Sequence, residues 1–187
     1  MTDQHQNYYQ MVKASGRAFG LLGLLLGVTG GVLTGVATKG IIADPVVTGS
    51  GAVMFYAAFS SSTLITLFVM LNYVTMNLQI SHGVFEVKRG MKAVSVNVTD
   101  ISAVRVAETK SRMNRVASEA KGARKITQMW SVIGVGSGIE IDVSRGDAGT
   151  VEMWFIASND ADELSEKLDA VISSERDDEI AGGESES

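Results

Sequence analysis

Two long stretches without a charged residue constrain this chain more than any other feature. No Asp, Glu, Lys or Arg occurs from Ala18 to Thr38, and a second such run lies between Asp44 and Glu86. As helices, runs of this length cross the roughly 30 Å hydrocarbon core of a bilayer. The sequence therefore predicts a transmembrane hairpin over residues 17–76, with spans at about 18–39 and 52–75. A pair of buried core helices and, for the first run, a cleaved signal peptide are the alternatives.

The charges that flank the two spans predict their orientation. The connection between the spans carries only Lys39 and Asp44, whereas basic residues are more frequent on the outer flanks: Lys13, Arg17, Lys88, Arg89 and Lys92. Lys and Arg accumulate on the cytoplasmic side of membrane proteins. We therefore expect a multi-pass protein of the cell (inner) membrane with both termini in the cytoplasm, residues 1–16 forming an N-terminal cytoplasmic segment.

Glycine recurs at every fourth residue of the first span. Glycine costs about 1 kcal/mol per site against alanine in a helix in water, but small residues four apart let two helices approach closely in lipid. We therefore predict a helix-packing face, here called the glycine ladder: Gly20, Gly23, Gly27, Gly31 and Gly35. The second span has small residues at the same spacing, Ala58 and Ser62. Packing between the two spans, contact with another copy or another membrane protein, and a pore are all open alternatives.

The residues that carry chemistry are few. The chain has no cysteine and two histidines far apart, and its net charge is −5. It has no phosphate-binding loop, and no Asp, Glu, Lys, Arg or His lies in the second span, where a proton-carrying ring needs a carboxylate. We therefore expect a protein that is not an enzyme, with no catalytic residues, no metal, no cofactor and no nucleic-acid partner.

Residues 77–175 have the pattern of a β domain closed by a helix. Alternating apolar residues predict six or seven short strands in an antiparallel meander. Three acidic residues on or beside the last hairpin are expected to face solvent, namely Asp142, Asp147 and Glu152. An amphipathic helix follows, capped by Asp160, with this apolar face: Ala161, Leu164, Leu168, Val171 and Ile172. Residues 176–187 are acidic and glycine-containing, which predicts a disordered tail.

Three segments of this domain carry a resemblance. These are "SVNVTDISAVRV" at 95–106, "GVGSGIEIDV" at 134–143 and "NDADELSEKL" at 159–168. Together with the preceding hairpin, the chain resembles membrane-anchored bacterial pleckstrin-homology-like domain proteins over about residues 78–172. The resemblance implies an α+β membrane protein: a two-helix transmembrane hairpin followed by a pleckstrin-homology-like antiparallel β-barrel or sandwich capped by a C-terminal α-helix.

A basic insert at residues 108–128 departs from that family, in which this connection is usually shorter. It holds two acidic residues and six basic ones: Lys110, Arg112, Arg115, Lys121, Arg124 and Lys125. One interpretation is a solvated loop or surface helix. The other is contact with anionic lipid headgroups, because a basic residue near such a membrane contributes about 1 kcal/mol to binding.

The sequence as a whole predicts a non-enzymatic, membrane-anchored scaffold or assembly protein that acts through the glycine ladder and a cytoplasmic domain. Its expected partners are membrane lipid and either itself, as a homo-oligomer, or another membrane protein. An accessory structural subunit of a larger membrane complex and an oligomeric pore or channel are the alternatives.

Overall fold

The computed structural model describes residues 7–108, 126–145 and 150–183. Strand β1 precedes two long helices, and seven further strands and a last helix follow them. In chain order the elements are β1 Tyr8–Lys13, α1 Gly16–Ile42, α2 Gly49–Tyr73, β2 Thr75–Ser81, β3 Val84–Arg89, β4 Lys92–Asn97, a 3-10 turn Val98–Asp100, β5 Ile101–Glu108, β6 Ile126–Trp130, β7 Ser137–Arg145, β8 Thr150–Ala157 and α3 Ala161–Gly183.

Helices α1 and α2 correspond to the two predicted spans. Both are long and apolar enough to cross a membrane, and only 6% of the most apolar window of each is buried. A core helix of a soluble protein would bury most of that window. The hydroxyl of Ser15 caps α1 by accepting a hydrogen bond from the Ala18 amide at 3.3 Å, as serine commonly does at a helix N-terminus.

The helical hairpin is inserted inside a β-hairpin. Strand β1 pairs antiparallel with β2 from Tyr8 opposite Ile80 to Lys13 opposite Thr75, although α1 and α2 separate the two strands in sequence. The sequence analysis did not predict β1, and it began the β domain at residue 77. In the structure Tyr8–Lys13 also belongs to that domain, and Val12 is fully buried in its core.

The β domain consists of two four-stranded sheets. The first has the order β1-β2-β3-β4 and is antiparallel throughout, as a meander predicts. The second has the order β5-β7-β8-β6, and its β6–β8 pair is parallel. The meander prediction is therefore wrong for the second sheet, and the fold is α+β with sheets that are mainly antiparallel.

Helix α3 covers the core with the face that its sequence predicts. Leu164 and Leu168 are fully buried and Ile172 is 7% exposed, and the helix packs on β5, the 3-10 turn and β7. The Asp160 carboxylate accepts a hydrogen bond from the Glu163 amide at 3.1 Å, so the predicted cap is confirmed. The helix continues to Gly183, beyond the boundary at residue 175 that the sequence predicted.

One acidic residue is buried, although the alternating pattern of its strand predicts that it faces solvent. Asp142 was expected to face solvent, but it is 2% exposed, and Glu140 beside it is 3% exposed. Strand β7 lies between β5 and β8, and the Asp142 carboxylate accepts a hydrogen bond from Arg105 of β5 at 2.6 Å. Glu152 is half-buried and accepts a hydrogen bond from the Trp154 indole at 2.9 Å; Asp147 lies outside the described residues.

Candidate packing face and groove beside the helix ends

Helices α1 and α2 contact each other, and the less exposed residues of each helix lie on one face, here called the seam. The seam residues of α1 repeat at spacings of four and three: Leu22, Leu26, Thr29, Leu33 and Val36. The seam of α2 includes Phe55, Phe59, Ser62, Thr66 and Val69. Thr29 and Thr66 are the most buried residues of their helices. Their hydroxyls donate to the carbonyls of Leu25 and Ser62, each at 2.8 Å.

The glycine ladder lies on the opposite side of α1. At about 100° per residue, its centre is rotated by roughly 160° from the seam. A Cβ atom built on any of its glycines would meet nothing within 4 Å outside its own helix: Gly20, Gly23, Gly27, Gly31 and Gly35. Packing of the ladder against α2 of the same chain is thereby contradicted. Ala58 is exposed, and Ser62 belongs to the seam.

The ends of the two helices are joined to the β domain by main-chain hydrogen bonds. The Ala14 amide donates to Val74 at 2.7 Å, next to the last β1–β2 pair. The loop after β6 also takes part, because Ile133 donates to Tyr73 at 3.1 Å and accepts from Ser15 at 3.2 Å. This end of the domain, here called the helix-side end, therefore lies directly against the start of α1 and the end of α2.

Arg89 connects three elements at the helix-side end. Its Nη1 atom donates to the Ser131 carbonyl at 3.0 Å. Its guanidinium carbon lies 4.5 Å from the centroid of the Tyr73 ring and 5.6 Å from that of the Trp130 ring. Such cation–π contacts contribute about 0.5–1 kcal/mol each at exposed sites. Arg89 thus holds the end of β3 against the last residue of α2 and the last residue of β6.

The β3–β4 turn reaches the end of α2. Gly90 has φ 54°, and a Cβ atom there would lie 2.5 Å from the Asn72 side-chain oxygen. Only glycine adopts this backbone conformation readily and tolerates that approach. The next residue, Met91, is 91% exposed. The turn therefore places the exposed apolar side chain of Met91 beside the end of α2.

A groove of about 470 Å³ opens next to this turn. It lies between β4 and β6, which are edge strands of different sheets. The residues that line it are Arg89, Met91, Lys92, Ala93, Val94, Gln128, Met129 and Trp130. Pockets that bind ligands have volumes of roughly 300–1,000 Å³, so the groove is large enough to hold a few residues of a partner.

The predicted lipid-contact residues lie outside the described residues: Lys110, Arg112, Arg115, Lys121, Arg124 and Lys125. The structure does show where the chain leaves the sheet before them. Strand β5 ends at Glu108, which lies opposite Ser137 in the register with β7. Ser137 directly follows the loop that contacts the start of α1 and the end of α2, so Glu108 lies at the helix-side end.

One tyrosine on β1 has a perturbed pKa. The Tyr8 hydroxyl is buried and has no hydrogen-bond partner among the described residues. Burial, together with the smaller effects of the negative charges of Glu163 and Asp160, raises the pKa of Tyr8 to about 12. Within the described part of the chain, no three His, Asp or Glu residues come together in a way that could hold a metal ion.

No protein-family model matches the chain, and neither a curated protein nor a solved structure matches it.

Proposed function

We propose that this protein is a non-enzymatic membrane-anchored assembly protein. In this proposal α1 and α2 span the cell membrane, the β domain lies on the cytoplasmic side with both termini, and the glycine ladder packs against the same face of a second copy. The basic residues beside the domain support that orientation, since Lys13, Arg17 and Lys88 all flank the helices on the domain side.

The observation that carries the proposal is the direction of the glycine ladder. The seam already provides the contact between α1 and α2, so the ladder is not needed to hold the hairpin together. If only lipid contacted this face of α1, leucine would suit it as well as glycine, because apolar surfaces gain little from meeting each other within a bilayer. A row of glycines on the outer side instead allows another helix to approach the backbone of α1 closely.

The proposed class of the domain is pleckstrin-homology-like. Two four-stranded sheets with a C-terminal helix packed on the second sheet support it, along with the segments 95–106 and 134–143. The parallel β6–β8 pair and the helices inserted between β1 and β2 are departures from a plain meander. A fold of this class does not define a ligand, so the assembly function is assigned to the ladder and the domain surface.

Disulfide crosslinking tests the proposal, because the chain has no native cysteine. Gly27→Cys places a thiol on the ladder, whereas Leu25→Cys places one on an exposed position that is rotated by roughly 140° from the ladder centre. After mild oxidation in native membranes, we expect a covalent dimer from Gly27→Cys at a yield well above that of Leu25→Cys. Equal yields from the two variants would indicate random collision and contradict self-assembly.

The same sample separates the alternatives. If Gly27→Cys gives no dimer and the solubilised chain co-purifies with a second protein in fixed ratio, the chain is an accessory subunit of a larger complex. If the dimer forms and the reconstituted oligomer carries ions across liposomes, the chain is a pore. The proposed assembly function requires the dimer without ion flux.

A further inference from the structure

The groove lies between β4 and β6, which are edge strands of their sheets among the described residues. Among the described residues, β4 pairs only with β3, and β6 pairs only with β8. Every second residue of an edge strand directs its N–H and C=O groups away from its own sheet. The groove therefore offers both donors and acceptors at the spacing of an extended chain.

The side chains around the groove are basic and apolar. Lys92 is exposed at the start of β4, and Arg89 is held in place by the Ser131 carbonyl and two aromatic rings. The guanidinium has five N–H donors, and one of them has an assigned protein acceptor among the described residues. None of the described residues that line the groove is acidic, and its other side chains include Met91 and Met129.

We propose that this groove binds an extended acidic peptide segment of a partner protein, which adds to the free edge of β4. The peptide's main chain pairs with the edge strand, and its carboxylates contact Arg89 and Lys92. Side chains of an extended chain alternate between two faces, so a segment with an acidic residue at every second position suits the groove. This partner site is separate from the glycine ladder and goes beyond the assembly function proposed for it.

A peptide fits these observations better than a lipid headgroup. A phosphate group accepts hydrogen bonds and donates few, so it would satisfy Arg89 and Lys92 but leave the carbonyl groups of the strand edges without a donor. An extended peptide supplies donors as well as acceptors, as in other proteins that bind a strand at a sheet edge. The location next to α2 places the acidic segment close to the membrane surface.

The test uses the full chain in nanodiscs of phosphatidylcholine and a fluorescent ten-residue peptide of alternating Glu and Val. Two further probes have alternating Lys and Val, or Glu and Val with every amide N-methylated. Lys92→Glu changes the groove. Lys88→Glu is the matched control, because Lys88 is exposed on β3 and does not line the groove.

We expect the Glu-Val peptide to bind and the other two probes to fail. Lys92→Glu should weaken binding about tenfold, as the loss of one close charge pair at an interface does. Lys88→Glu should leave it unchanged. Arg89→Gln should weaken binding too. If Arg89→Gln does not fold, Lys92→Glu decides the test.

Three results overturn the proposal. They are no binding of the Glu-Val peptide to the parent chain, equal binding of the N-methylated peptide, and displacement of the peptide by soluble glycerophosphoglycerol, the headgroup of phosphatidylglycerol, which would make the groove a lipid-headgroup contact. If a Gly27→Leu variant loses self-association but still binds the peptide, the peptide site does not depend on the proposed assembly function.

Discussion

Lys13 lies opposite Thr75 at the end of the antiparallel β1–β2 pair, and both apolar helices are inserted between these two residues. The two ends of the hairpin are therefore brought together by the β domain itself. Because Ala14 also donates to the Val74 carbonyl, the pairing continues up to the start of α1 and the end of α2.

The insertion predicts that the β domain folds without the helices but not without β1. Joining Lys13 to Thr75 through Asn-Gly, a pair that favours a tight hairpin turn, should give a soluble folded domain. A chain that begins at residue 77 should be less stable. It loses Val12 and Met76, both buried, at roughly 1.5–3 kcal/mol for each such side chain.

Size-exclusion chromatography and thermal unfolding followed by circular dichroism would compare the two chains. A third chain, which keeps the Asn-Gly joint but carries Val12→Asp, serves as the matched control for the contribution of β1 to the core. Equal melting temperatures for the joined chain and the chain starting at 77 would show that β1 does not stabilise the domain.

Strand β1 also shows where sequence reasoning reached its limit. The two helices and the amphipathic face of α3 were predictable because their signals are local, and spacing alone reveals them. The partner of β1 lies beyond two helices, and no periodicity within Tyr8–Lys13 points to it. The parallel pairing of β6 was likewise unpredictable. It depends on where β6, which follows the long insert, meets β8.

The candidate site was predictable to a similar extent. Spacing identified the glycine ladder, but its direction relative to α2 follows only from the seam that includes Thr29 and Thr66. The groove beside Lys92 gave no sequence signal, because its two walls come from edge strands of different sheets. In the sequence, the basic residues after the second span indicate only the orientation of the two spans.

Replacing two ladder glycines should disrupt assembly without unfolding the domain. Gly27→Leu with Gly31→Leu adds side chains on a face where nothing lies within 4 Å in the monomer, so the fold has room for them. Another helix that packs there would be pushed away. We expect a shift from oligomer to monomer in detergent, measured by light scattering with correction for bound detergent.

The control for the ladder is Val32→Leu, an exposed position on a different side of α1. It adds one methylene group to the lipid-facing surface and should leave the mass unchanged. If the double leucine variant keeps the parent mass and the parent partners, the ladder is not an assembly face.

The Arg105–Asp142 ion pair should contribute to stability. Arg105 Nη2 lies 2.6 Å from Asp142 Oδ2, and the aspartate side chain is only 3% exposed. Hydrogen bonds to charged groups contribute about 1.5–3 kcal/mol, so Arg105→Met should lower the free energy of unfolding by roughly that amount. Urea titration of the full chain in detergent, followed by tryptophan fluorescence, would measure it.

Lys88→Met is the comparison for Arg105→Met, since it removes an exposed charge and should change stability by less than about 0.5 kcal/mol. A double-mutant cycle with Asp142→Asn isolates the pair itself. A coupling energy near zero would show that the carboxylate depends on other neighbours and not on Arg105.

Tyr8 should make the domain less stable at high pH. Burial raises its pKa to about 12 in the folded chain, above the ordinary value of about 10. The unfolded chain thus releases the phenol proton first, and the stability from the neutral phenol is complete below about pH 10 and lost as the pH approaches 12. Tyr8→Phe should abolish this part of the pH dependence, measured as melting temperature from pH 8 to 11.5.

Tyr9→Phe controls for tyrosine ionisation in general, because Tyr9 is 58% exposed on the same strand. At neutral pH, Tyr8→Phe should not destabilise the domain, since the hydroxyl that it removes has no hydrogen-bond partner among the described residues. A pH profile of Tyr8→Phe that matches the parent would show that the phenol remains accessible to solvent.

The basic insert should bind anionic lipid. Reversing the charge at Arg112, Arg115 and Lys121 should weaken binding of the Asn-Gly-joined domain to vesicles containing phosphatidylglycerol, because each basic residue near such a surface contributes about 1 kcal/mol. Sedimentation with vesicles at increasing salt measures the effect, and the parent's affinity should fall as salt rises. Arg176→Glu is the control, since neighbouring Glu175 lies against Gly83 at the far end of the first sheet. Absent or salt-insensitive binding of the parent domain would leave the insert as a solvated surface segment.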